Sequence, residues 1–146
     1  MDYKLVAFVV AILNICFVGY LDFKYRKVKY DFCYLIICAC SVVIGGVWPE
    51  KVICLFAFPV LLFVISYIME KKKNIDKPSV GGADIKLMTA MVFLFGLTQF
   101  SFIFIITAVL STGHFFASKE KEIPLCGYLS VGTLLYCIAF WLLTIT

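Results

Sequence analysis

The chain has 146 residues, of which 64% are hydrophobic and only 15% charged, and its mean hydropathy is +1.05. A soluble domain has about half its residues apolar and about a quarter charged, so this composition excludes a soluble fold and makes the bilayer the solvent for most of the chain. The net charge of +4 comes from basic residues confined to short loops, which argues against a nucleic-acid partner, and the length allows one domain over residues 1–146.

Apolar runs then follow in chain order. The first, 5–21, comes after Lys4 and lacks a small-x-small cleavage site, so it reads as a retained span rather than a removable signal. Further runs at 32–47, 52–69 and 125–143 each approach the roughly 20 residues that cross a hydrocarbon core. The stretch 85–117 is too long for one crossing, reaching roughly 50 Å at 1.5 Å per residue. Its polar interruption, Gly96-Leu97-Thr98-Gln99, divides it into two spans, and the first of these, 85–95, is unusually short. The expected architecture is an all-α integral membrane protein, a bundle of six transmembrane helices.

Loop charge orients the bundle. Eleven of the thirteen Lys and Arg residues fall in the segments 22–31, 70–86 and 118–124, leaving only Lys4 and Lys51 on the other side. The positive-inside rule makes those three loops cytoplasmic and puts both termini outside. Seven cysteines lie mostly within apolar runs and form no C-x-x-C pair, so they read as small buried hydrophobes rather than a metal or redox site. No cofactor is expected.

On this topology Asp22 closes the first helix and Asp84 opens the fourth, both at the cytoplasmic boundary. Carboxylates at membrane depth are costly and usually functional. Two converging aspartates share a proton, so one can act as base on water while the other polarises a carbonyl. The remaining acids fit other roles: Asp31, Glu70, Asp76, Glu120 and Glu122 stand in Lys-rich loops, whereas Asp2 and Glu50 fall on the opposite side. Asp84 also suits the N-terminus of a helix, where a carboxylate accepts from free amides.

The segment Gly81-Gly82-Ala83-Asp84-Ile85-Lys86 resembles the G-x-G-D-x-K signature of type IV prepilin peptidases. Asp22 with the basic stretch Lys24, Arg26, Lys27 and Lys29 looks like that family's first aspartate, and Ile123-Pro124 with Gly127 and Gly132 is similar to its segment opening the last helix. The chain departs from the pattern at Ala83 for glycine, at Lys29-Tyr30 for Pro-Asn, and at Gly127, where the family often has proline. The resemblance implies an aspartic endopeptidase of a prokaryotic cytoplasmic membrane that removes the leader of prepilin-like precursors at the cytoplasmic face. It implies Asp22 and Asp84 as the catalytic pair, with Gly81, Gly82, Ala83, Lys86 and Pro124 in support. Gly81 and Gly82 would let the backbone turn and approach substrate, and Lys86 would pair with a lipid phosphate or a substrate carboxylate, or simply snorkel. Partners would be a pilin-like substrate with an apolar helix, and lipid. The loop at 22–31 is too short for the cysteine-tetrad insertion of larger, methylating members, so a peptidase-only form is expected.

Other residues call for no catalytic role. His114 reads as interfacial, Asn14 as an interhelical hydrogen bonder, Trp48 and Trp141 as belt residues, and Cys126 as a thiol close to the expected site with no function assigned. Two alternatives stay open: a related dyad protease of other signal or transmembrane peptides, and a proton-coupled transporter. The second would want acids near the midplane and an internal repeat, neither of which the sequence contains. A hinge over 70–83 would let Asp84 swing.

Overall fold

The computed structural model describes residues 2–26, 31–46, 48–73, 81–117 and 123–145, and these form six α-helices with no strand among them. They are α1 (Tyr3–Tyr25), α2 (Asp31–Gly45), α3 (Pro49–Lys73), α4 (Gly82–Phe95), α5 (Leu97–Ala117) and α6 (Leu125–Ile145). Among the described residues three helices are long and apolar enough to cross a membrane, α1, α5 and the 125–143 part of α6; the apolar portion of α2 is shorter.

Local chemistry explains where these helices start and stop. Asp2 caps α1 by accepting the Lys4 amide at 3.3 Å. At the other end Arg26 adopts a left-handed φ of 54° and returns its N–H to the Asp22 carbonyl. The helix therefore continues a turn past Asp22, which lies inside it and does not close it as the hydropathy suggested. Gly46, at φ 69°, ends α2, and Pro49 begins α3, where its missing N–H costs nothing. The division of 85–117 falls at Gly96, whose φ of 81° suits glycine and breaks the helical path.

Helix α4 is the centre of the bundle, packed against α2, α3, α5 and α6, while α1 lies on α2 and α6, and α5 on α6. Half of its fourteen residues are buried, Leu87, Met88 and Ala90 to Leu94 among them. Every other helix carries exposed large hydrophobics, such as Leu13, Leu35, Phe56, Val109 and Leu143. That outward apolar surface is what a bilayer solvates. At 1.5 Å per residue α4 is about 21 Å long, well short of a hydrocarbon core of about 30 Å.

Small residues bring helices close. A Cβ on Gly19 of α1 would stand 2.5 Å from the Ser130 Cβ of α6, and one on Gly132 of α6 would run into the Thr107 hydroxyl of α5. Tight small-residue contacts of this kind stand in for the hydrophobic drive that lipid removes. A buried polar bond adds to them, the Ser41 hydroxyl of α2 donating to the Phe93 carbonyl of α4 at 2.6 Å. Asn14, expected to bond across helices, donates instead to Val10 of its own helix at 3.0 Å. Trp48 and Trp141 are exposed at the end of the bundle away from the aspartates, as belt residues would be.

Candidate active site

The C-terminal end of α1 and the N-terminal ends of α2, α4 and α6 meet at one end of the bundle. Asp22 and Asp84 are both partly buried there. One carboxylate oxygen of each and the Cys126 sulfur lie within 4.8 Å of one another. The convergence is already present without any movement of the segment around Asp84. Residues 74–80 of the expected hinge lie outside the described residues.

Each carboxylate is held by its own donors. Asp84 is the third residue of α4, and its Oδ2 accepts the Gly81 amide at 3.2 Å, a free helix N-terminal donor. Its Oδ1 faces the Cys126 thiol at 3.0 Å. Asp22 Oδ2 accepts the Gly127 amide at 3.1 Å. Both Cys126 and Gly127 stand in the first turn of α6, whose amides lack partners within the helix and whose dipole is positive at this end. The buried Pro124 starts that turn, fixing φ while removing an N–H with no partner to lose. One helix start thus supplies a donor to each aspartate.

The two aspartates repel each other, and Arg26 offsets this on the Asp22 side. Asp22, Asp84 and Cys126 are spaced as a three-point cation site would be. In the arrangement described, however, the thiol is a hydrogen-bond donor to Asp84 rather than a thiolate ligand.

The supporting residues depart from expectation in several ways. Gly81 is extended at φ −67°, and only Gly46 and Gly96 among the described glycines take positive φ. Glycine at 81 therefore serves space rather than a turn, since a Cβ there would stand 2.9 Å from Asp84 Oδ2. Alanine at 83 consequently brings no backbone strain. Lys86, expected on a lipid phosphate or a substrate carboxylate or simply snorkelling, forms a 2.7 Å ion pair with Asp31 at the start of α2, with both side chains largely exposed. Such a surface pair is worth about 0–1 kcal/mol. Lys24 donates to the Tyr20 hydroxyl at 3.1 Å, whereas Lys27, Lys29, Asp76, Glu120 and Glu122 lie outside the described residues, as does the side chain of Glu70.

His114 packs on an aromatic neighbour. Its ring lies against Tyr128 at 5.6 Å, and Tyr128 meets Phe23 edge-on at 5.4 Å, forming an aromatic wall beside Gly127. Sequence reasoning put the Cys126 thiol close to the site without giving it a role, and missed the Gly127 amide. The available signal was the departure at position 127: proline has no N–H to give Asp22, and glycine does.

A family model described as the type IV leader peptidase family matches residues 6–116, well over half of the chain. The match includes Asp22, Gly81 to Asp84 and Lys86, and it ends before Pro124, Cys126 and Gly127. No curated protein and no solved structure matches.

Proposed function

The chain belongs to the type IV leader peptidase family, and from that premise we propose that it is an intramembrane aspartic endopeptidase using Asp22 and Asp84. The observation that carries the reading is the approach of the two carboxylates to within 4.8 Å, each with separate donors. Like charges this close favour a pair that shares one proton. The ionised member takes a proton from water, the protonated member hydrogen-bonds the scissile carbonyl, and the water oxygen adds to the carbonyl carbon. Collapse of the tetrahedral adduct breaks the C–N bond, with a proton passing to the departing amine. The roles of base and acid belong to the pair, which titrates as a unit.

The substrate in this reading is a type IV prepilin-like precursor, cut at the cytoplasmic face where its basic leader meets an apolar helix. Charge asymmetry of the loops supports a six-span topology with both termini outside and the aspartates facing the cytoplasm. The short α4 supports a bilayer thinned around Asp84, so that the end of a substrate helix reaches the pair without leaving the membrane.

The test is co-expression with a prepilin precursor, comparing wild type with Asp22→Asn and Asp84→Asn. Each variant, shown to be inserted, should leave the precursor untrimmed, while Asp31→Asn should still process it. Trimming at the wild-type rate by either dyad variant would overturn the proposal.

A further inference from the structure

Tyr34 stands in α2 with 6% of its surface exposed, and its hydroxyl has no hydrogen-bond partner among the described residues. A buried hydroxyl without a partner costs stability and calls for a reason. Its position follows from two anchors. Asp31 of α2 pairs with Lys86 of α4, and ten residues on, Ser41 of α2 bonds Phe93 of α4, so the two helices run parallel with Tyr34 between the anchors. Tyr34, Ile37 and Ser41, at i, i+3 and i+7, share one face, and all three are buried. Long side chains on a helix point back towards its N-terminus, here the end that holds the aspartates. The hydroxyl is in electrostatic reach of Cys126, Asp31, Asp84 and Cys33, and two of these belong to the aspartate cluster.

We propose that Tyr34 is a catalytic residue of leader cleavage, its hydroxyl donating a hydrogen bond to the oxygen of the scissile carbonyl. This rests on the dyad reading. As the water oxygen bonds to the carbonyl carbon, the C=O π pair moves onto the carbonyl oxygen, and the Tyr34 O–H holds that charge beside the protonated aspartate. The tyrosine gives up no proton; the proton from water still travels through the aspartates to the departing amine. A fixed donor aimed at developing charge in a site shielded from water is worth most in the transition state.

Tyr34→Phe isolates the hydroxyl, because the ring and its packing remain. With purified enzyme in detergent and a purified prepilin precursor, kcat should fall about 100-fold, the usual scale for losing one oxyanion donor, with KM changed by less than about twofold. Thermal stability should be unchanged or higher, since the variant no longer buries an unpartnered hydroxyl. Wild-type kcat, a raised KM at constant kcat, or a kcat loss that tracks a fall in melting temperature would each overturn the assignment. The dyad is read separately: an active Asp84→Asn removes the premise as well, whereas an inactive Asp84→Asn beside a fully active Tyr34→Phe removes Tyr34 alone.

Discussion

Gly19→Ala tests whether the contact between α1 and α6 sets the geometry of the aspartates. The new methyl would lie 2.5 Å from the Ser130 Cβ, and ordinary contact begins at 3.4 Å, so the helices must part by about 0.9 Å. Asp22 lies three residues beyond Gly19 on α1, and Gly127 lies three residues before Ser130 on α6, so the same parting acts one turn away on their hydrogen bond. Stretched by that amount, the 3.1 Å bond opens to about 4.0 Å and is lost. A hydrogen bond to a charged group contributes about 1.5–3 kcal/mol. At about 1.4 kcal/mol per tenfold, kcat/KM for precursor cleavage should fall by about 10- to 100-fold. Overpacking should also lower stability by about 1–3 kcal/mol, measured as a lower melting temperature in detergent. The double variant Gly19→Ala/Ser130→Gly removes the obstructing side chain and should recover most of the cleavage rate. Wild-type cleavage and melting by Gly19→Ala, or a double variant no better than the single one, would refute the reasoning.

Cys126→Ser keeps a donor towards Asp84 Oδ1 and should retain most of the cleavage rate, whereas Cys126→Ala should lose about tenfold in kcat/KM. Equal rates for the two variants would mean that the thiol does not act on Asp84. At Gly127 either alanine or proline brings a Cβ to within 2.6 Å of the Phe23 ring, but only proline also removes the amide from Asp22. The proline variant should therefore cleave about tenfold or more slowly than the alanine variant, and equality of the two in the same assay would dismiss the amide.

The aspartate pair was legible because two independent patterns met on it. Loop charge put positions 22 and 84 on one face, and the Gly-Gly-Ala-Asp context marked the second of them. The break at Gly96 was legible for a similar reason, since a glycine beside a polar pair inside an overlong apolar run has few other uses. Hydropathy could not show that α1 runs on past Asp22, because Phe23, Lys24 and Tyr25 form a helix as readily as a loop; the Arg26 cap ends it. The Asp31–Lys86 pair joins residues 55 apart in sequence, and its long-range contact left no local trace. Tyr34 was hidden more thoroughly: in an aromatic-rich membrane chain one buried tyrosine resembles the rest, and only packing reveals a hydroxyl without a partner among the described residues.

The first turn of α6 explains why the site needs more than its two acids. Asp22 and Asp84 arrive on different helices, and repulsion between them favours separation. Consecutive residues on a helix point about 100° apart, so Cys126 and Gly127 can serve different neighbours from one turn. One gives its thiol to Asp84, the other its amide to Asp22, with the positive end of the helix dipole behind both. This arrangement requires α6 to start where it does, which Pro124 provides, and to approach α1 closely, which Gly19 permits. It also gives glycine at 127 a chemical consequence, because proline in that place would leave Asp22 without this donor and the balance of the pair would shift towards Asp84.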